Sequence, residues 1–508
     1  MGLFLQPLLL QNKNVLYEWR FGGIFLFRNA DIKCTPGLKS PDSASESEET
    51  VLSKMMYDEP HKLEDYLATE LQCSCGHKHY VPIRAVEIGP GAIRTLPDFT
   101  RKFGYAHPYI VCDEITHRIA GEKCATLLHE AGVESRTLIL KHTGFDEATL
   151  GEIVLNLPED CDVMIGVGTG SITDMIRFSS YKLKLPCFTV ATGAPMDGFA
   201  ASIGIMNVNN LKKTMQAHTT ELIIGDTDIL KTAPYRMTVA GFGDLIGKIT
   251  CQNDWELGRI INGEHYCKNI ADLVKDCLAH VLEIAPRIKD QDPDALGDVM
   301  NGLVLSGASI SLYGNSRPAS GAEHHMSHYW ETVMEQRGMQ HPMHGEQVAV
   351  GTVLVLMLIE ELLQKEIDFD RARDFVKKFD HKHWEAEIRR TYGTAADEVI
   401  EIENSAGKNT PENCLRRIDS MQQHWQEICE QLKTMPSAEY LMNLLKEIGC
   451  PYLPSAIGID AATLKDTFLY CKEVRARYTV FQTVYDLGLL DELSDGVQLR
   501  LNRIEEKA

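Results

Sequence analysis

Residues 162–178 read DVMIGVGTGSITDMIRF, and this stretch decides the fold. Val163 to Val167 form a short apolar run of the kind that fills a strand buried on both faces. A glycine-rich turn follows, and helical spacing resumes from Ser171. Strand, tight turn and helix in that order predict a parallel α/β unit with a ligand at the turn. Gly166, Gly168 and Gly170 allow close backbone approach and supply unrestricted φ. Backbone N–H groups at the helix start suit a pyrophosphate, with Ser171 placed to cap the helix or bond a phosphate. The pattern is GxGxGSxxD, which differs from the GxGxxG dinucleotide fingerprint. A tight turn without a ligand is the alternative.

The same alternation extends on both sides. PYIVCDE (108–114), SRTLIL (135–140) and PCFTVAT (186–192) read as strands, with the helical GEKCATLLHEAG (121–132) between the first two. This argues for a parallel sheet covered on both faces. A second turn, TVATGAPMDGFAAS (189–202), would lie beside the first at the carboxyl edge, where Thr189, Thr192 and Gly193 are placed to contact cofactor. Asp197 there is either a helix N-cap or an acceptor for a substrate hydroxyl. Cys112–Asp113 ends the first strand, and an acid at that place suits ribose hydroxyls. Beyond about residue 230 the spacing is helical to the end. The expected organisation is residues 1–60 as a disordered or atypical extension, 61–230 as a Rossmann-like α/β nucleotide-binding domain, and 231–508 as an all-helical metal- and substrate-binding domain.

Composition narrows the function. With 508 residues, 44% hydrophobic and 24% charged, the chain has ample core for more than one domain. A formal net charge of −21 repels nucleic-acid phosphate and anionic lipid, so neither is an expected partner. A phosphate-bearing substrate must find local donors. The 14 cysteines are scattered without a CxxC, which reads as reduced cytoplasmic thiols. CSCGHKH (73–79) resembles a zinc motif but lacks a second ligand pair, and is read as a glycine-centred hairpin. No run of about 18 apolar residues occurs, so no membrane span is expected. The opening MGLFLQPLLLQ has no basic region or cleavage site and is a weak secretory signal.

Five of the 18 histidines fall between His324 and His344. If EHHMSHYWE (323–331) is helical, His324 and His328 share a face, and His325 points about 100° away into a packing or solvent role. His344, just after the turn at Pro342, is expected at a helix start; His341, before that proline, belongs to the loop. Catalytic metal sites commonly add a carboxylate to two imidazoles and keep one position open. Asp244, in the apolar and glycine-flanked GFGDLIGK (241–248), is the candidate, with a simple helix N-cap as its alternative. A nucleotide cradle plus a Lewis-acid site suggests hydride transfer to or from a carbonyl.

GVGTGSITD, TGAPMDGFA, AGFGDLIGK, SGAEHHMSH and HGEQVAVGT occur in the order and spacing of the dehydroquinate synthase-like and iron-type alcohol dehydrogenase superfamily. Within it the chain resembles the bacterial branch of the glycerol-1-phosphate dehydrogenase family over roughly residues 70–500. The resemblance implies an active site in the cleft between the two domains and interconversion of dihydroxyacetone phosphate and sn-glycerol 1-phosphate with NAD(H) or NADP(H). It implies one divalent metal, zinc or nickel with iron possible, held by Asp244, His324 and His344. Substrate contacts fall on Asp197, Asp244 and His328, with Asp244 and His328 catalytic. Cofactor contacts fall on Gly168, Thr169, Gly170, Ser171 and Ile172 and on Thr192, Gly193, Ala194 and Pro195. Two departures stand out: Thr169 interrupts what is often a triple glycine, and Ala201 replaces a serine. Lys248, one turn after Asp244, is expected to pair locally rather than reach substrate phosphate. A polyol dehydrogenase of the iron-type group and a dehydroquinate synthase-like lyase are the alternative activities; a homodimer or larger homo-oligomer in the cytoplasm is the expected state.

Overall fold

The computed structural model describes residues 63–142, 144–208 and 211–506, together with Arg20–Phe21 and Ile24–Phe25. Those two short segments pair antiparallel with each other. The expectation of disorder for residues 1–60 otherwise lies outside the described residues.

Six strands form one parallel sheet: β1 (Ala85–Gly89), β2 (Pro108–Asp113), β3 (Arg136–Leu140), β4 (Val163–Gly168), β5 (Cys187–Ala191) and β6 (Leu222–Asp226). Their spatial order is β1-β6-β5-β4-β2-β3. All residues of β4, β5 and β6 are buried, which is why β4 and β5 read as unbroken apolar runs; β1 and β6 are strands that the sequence reading did not name. The chain leaves β2 for β3 on one side and returns to β4 on the other, so the topological switch lies between β2 and β4. The glycine turn at the end of β4 therefore sits at the crevice where open α/β sheets take ligands.

The turn leads into α1 (Gly170–Leu183), and its glycines act by packing rather than by unusual φ. None of Gly166, Gly168 and Gly170 adopts the left-handed region. A Cβ on Gly168 would lie 2.7 Å from Ile172, and one on Gly166 would lie 3.2 Å from Ile176. Bare backbone is what lets α1 lie close on β4.

Beyond β6 the chain is helical. The helices used below are α2 (Tyr235–Ile246), α3 (Lys248–Asn262), α4 (Lys268–Ile288), α5 (Pro293–Tyr313), α6 (Ala322–Gln336) and α7 (His344–Leu363). Among the described residues α5 alone is long and apolar enough to cross a membrane, with a mean hydropathy of 1.3. Its most apolar window is 78% buried inside the protein, so that character serves the core.

Glycines also let α2 and α7 meet. A Cβ on Gly345 would overlap the carbonyl oxygen of Ala240, and one on Gly243 would overlap that of Gly345. A Cβ on Gly241 would overlap the carbonyl oxygen of Ala194, and one on Gly307 of α5 would overlap that of Asp197. The strip 192–197 is thus pressed against α2 and α5 by backbone contact.

Candidate active site

The close contacts bring residues from distant stretches together. Asp244, His324 and His344 each offer a ligand atom, and these atoms lie within 4.8 Å of one another. Asp244 is completely buried in the last turn of α2, so the helix-start position read from the sequence is wrong. It does not cap its own helix. Its Oδ2 accepts the N–H of Asp197 at 2.9 Å, and its Oδ1 accepts from Lys248 Nζ at 3.0 Å.

Lys248 is itself buried and pairs with Asp197 Oδ2 at 3.0 Å as well as with Asp244. It takes the local ion-pair role expected of it. Burial pushes the Asp244 carboxyl up, but Lys248 and the two imidazoles outweigh that and hold it well below the ordinary carboxylate range. Burial likewise lowers the Lys248 ammonium, while Asp197 and Asp244 together hold it well above its ordinary value. Asp197 precedes a short 3₁₀ turn without capping it through its side chain. Its Oδ2 instead accepts from Ser306 Oγ of α5 at 2.7 Å.

Each imidazole is oriented by a carboxylate that sequence reasoning missed. His324 Nδ1 lies 2.7 Å from Glu323 Oε1, and His344 Nδ1 lies 3.2 Å from Glu331 Oε1. Burial raises the Glu323 pKa, but His324 and Thr250 outweigh it and hold the group below its ordinary value. Burial also pushes Glu331 up, and its bonds to His328 and His344 reverse the sign and leave it well below. Ionised carboxylates only accept, so Nδ1 carries the proton in both rings and Nε2 keeps the lone pair. His324 Nε2 lies 3.5 Å from Asp244 Oδ1. The donor set, one carboxylate and two imidazoles held in the right tautomer, suits a divalent ion.

His328 joins through the other oxygen of Glu331, with Nδ1 3.3 Å from Oε2. Its ring lies 6.2 Å from that of His324 and 5.5 Å from that of His344. Burial lowers its pKa to about 4 against the upward pull of Glu331. For His344 burial acts downward, but the bond to Glu331 and the charge of Asp244 leave it raised. His325 is fully buried, and neither ring nitrogen has a hydrogen-bond partner among the described residues. Burial drives its pKa well below the usual imidazole value, and it packs as a neutral ring. His341 is exposed in the loop before α7.

The cofactor candidates are linked to this cluster through the strip 192–197, whose last residue donates its N–H to Asp244. Thr169 occupies the N-cap position of α1 but makes no side-chain capping bond, which leaves first-turn N–H groups for a ligand. Ser171 does not cap; it is the exposed second residue of the helix, in its first turn, and Ile172 is buried beside it. Thr192 donates its N–H to Gly168 O at 3.1 Å, so the two turns are joined. A Cβ on Gly193 would lie 3.2 Å from Thr169, and one on Gly170 would lie 3.4 Å from Met196. Thr192 and Ala194 are buried and Pro195 is half-buried, on the path from β5 to Asp197. Thr189 faces the sheet interior, 3.4 Å from Thr220 Oγ1. Asp113 closes a capping box on the short helix Glu114–Thr116, its Oδ1 accepting the Thr116 N–H at 2.7 Å.

The chain thus joins a parallel sheet with a glycine turn at its switch point to a helix-borne Asp–His–His cluster. Residues 87–234 match the family described as iron-containing alcohol dehydrogenase. The fold agrees with the iron-containing alcohol dehydrogenase structure from Thermococcus thioreducens, with a TM-score of 0.53 at 14% identity over 82% of this chain and 99% of that one. A glycerol-1-phosphate dehydrogenase [NAD(P)+] of Halalkalibacterium halodurans is 33% identical over 64% of this chain and 83% of its own length. One from Bacillus velezensis is 36% identical over 56% of this chain and 73% of its own length. The chain belongs to the glycerol-1-phosphate dehydrogenase family.

Glu331 provides a direct check on how the imidazoles are held. Glu331→Gln keeps one acceptor but loses the charge shared by His328 and His344, and metal affinity is expected to fall about 10- to 100-fold. Competition with a chromogenic chelator measures this; unchanged affinity would show that the glutamate is a bystander.

Proposed function

We propose that this chain is a metal-dependent oxidoreductase that interconverts dihydroxyacetone phosphate and sn-glycerol 1-phosphate with NAD(H) or NADP(H). The observation that carries the reading is the convergence of Asp244, His324 and His344 within 4.8 Å, at the end of a strip that begins beside the glycine turn. In this reading residues 61–230 hold the dinucleotide and residues 231–508 hold metal and substrate. The N–H groups at the start of α1, from Gly170 to Ile172, cradle the pyrophosphate, and Thr192 to Pro195 line the path to the nicotinamide. The nicotinamide supplies the hydride, and a divalent ion on the three ligands supplies the Lewis acidity that offsets charge on the C2 oxygen.

The remaining steps belong to this chain's side chains. Lys248 and Ser306 hold Asp197, and Lys248 with the Asp197 N–H holds Asp244, so the carboxylate keeps one orientation. His328 Nδ1 is committed to Glu331, which leaves Nε2 to orient a substrate hydroxyl and pass its proton. The substrate phosphate needs a cation in a protein of net charge −21. Arg475 is the candidate: its charge bears on both His325 and His328, and its buried Nε has no hydrogen-bond partner among the described residues. Arg475→Ala is expected to raise KM for dihydroxyacetone phosphate about 10-fold or more with a smaller change in kcat. An equal loss with an unphosphorylated ketone would remove the phosphate assignment.

The reading extends to a cytoplasmic enzyme that works as a homodimer or larger. Every described cysteine is a free thiol, in keeping with a reducing compartment; light scattering on the purified protein measures the assembly. The central test is NADH and NADPH oxidation with dihydroxyacetone phosphate, alongside glycerol with NAD and a dehydroquinate synthase assay. Turnover of unphosphorylated glycerol alone would favour the polyol dehydrogenase alternative. Phosphate release from a sugar-acid phosphate without net NADH change would favour the lyase.

A further inference from the structure

CSCGHKH forms the glycine-centred hairpin expected of it: Leu71–Gln72 pairs with Lys78–His79, and Cys73 accepts the N–H of Gly76 at the tip. What the sequence could not show is a fourth residue. Cys267, just before α4, brings its thiol to the hairpin, and Cys73, Cys75, His79 and Cys267 each offer a ligand atom within 4.8 Å of the others.

The individual distances have the form of a coordination polyhedron. Cys73 Sγ lies 3.6 Å from Cys267 Sγ, and His79 Nε2 lies 3.3 Å from both Cys75 Sγ and Cys267 Sγ. A tetrahedral zinc ion with bonds of about 2.3 Å to sulfur and about 2.0 Å to nitrogen has ligand–ligand edges of about 3.5–3.8 Å. The surroundings are prepared as well. His79 is buried and its Nδ1 lies 2.8 Å from the carbonyl oxygen of Leu312 in α5, so Nδ1 donates and the lone pair of Nε2 faces the sulfurs. Asn269 Nδ2 donates to Cys73 Sγ at 3.3 Å. Burial pushes the thiols of Cys75 and Cys267 up, while the backbone N–H groups of His77 and Ile270 act downward. Three sulfurs and one imidazole, with no open carboxylate, are the donors of a closed structural site.

We propose that Cys73, Cys75, His79 and Cys267 form a structural zinc site that fastens the hairpin to the start of α4 and the end of α5. Binding displaces the thiol protons and leaves three thiolates and a neutral imidazole on the ion. Two-residue strands do not hold a hairpin by themselves, and the cross-link spans 194 residues between Cys73 and Cys267. The site shares no ligand with Asp244, His324 and His344, and it stands whether or not the catalytic reading does.

The test starts from full-length His344→Ala protein, in which the catalytic ion is removed. That variant is expected to purify with one zinc per chain by elemental analysis, and His344→Ala combined with Cys267→Ser with none. X-ray absorption at the zinc edge of the same His344→Ala protein should give three sulfur neighbours at about 2.3 Å and one nitrogen. Should the cysteine variant not fold, cobalt exchanged into the unmutated protein reads the site directly. A thiolate-to-cobalt charge-transfer band is expected there, because the Asp–His–His set contains no sulfur. Zinc-free His344→Ala protein, zinc without sulfur neighbours, or a Cys73–Cys267 disulfide found by mass spectrometry would each overturn the proposal.

Discussion

His344→Ala is expected to abolish turnover, by roughly 10³-fold or more, and to remove the bound divalent metal. A loss of that size corresponds to about 4 kcal/mol of transition-state stabilisation. The argument is geometric. His344 is the first residue of α7 and the only one of the three candidate ligands supplied by that helix. Glu331 fixes its tautomer, and Asp244 and His324 alone would leave the ion two ligands. Because the side chain is half-buried rather than central to the core, the variant should fold and bind nucleotide normally. Metal analysis, NADH fluorescence and turnover on one preparation separate these effects. Retention of both metal and activity would refute the site.

Gly345→Ala should fail for a different reason. A methyl there would overlap the carbonyl oxygen of Ala240, a backbone atom that no rotamer change can move. α2 and α7 must part, at a cost of about 3 kcal/mol, the upper end for overpacking. Denaturant unfolding should show a lower midpoint at similar slope. Parting the helices also draws His344 from Asp244, so metal affinity falls together with stability. The contrast with His344→Ala is diagnostic: the neighbouring substitution should lose metal without losing stability. A Gly345→Ala protein of unchanged midpoint would mean that the contact between the helices is looser than described.

The contrast also marks what the sequence could tell. Four strands of the sheet were legible, β4 and β5 most clearly because they are buried on both faces and leave unbroken apolar runs, while β1 and β6 were not read as strands. The i, i+4 spacing put His324 and His328 on one face and turned His325 away, as the helix has it. Other features depend on partners distant in sequence. Asp244 reads as a helix start because Gly241 and Gly243 flank it, yet those glycines exist to admit Ala194 and Gly345. Glu323 and Glu331 look like ordinary helix-surface acids until folding shows which ring each one meets. Cys267 carries no local signal at all, being an isolated cysteine 188 residues from His79. The glycines of the turn invite an argument from backbone freedom, whereas close contact with Ile172 and Ile176 is what they provide.

The bond from Ser306 to Asp197 has a consequence for how the enzyme comes alive. It joins groups 109 residues apart, and the bond from Asp197 to Asp244 spans another 47. Contacts of such separation form only after long loops have been closed. In a refolding experiment circular dichroism would recover with the individual helices, and catalysis only once these remote segments have docked. The first signal would overstate, at early times, the fraction of molecules able to turn over substrate.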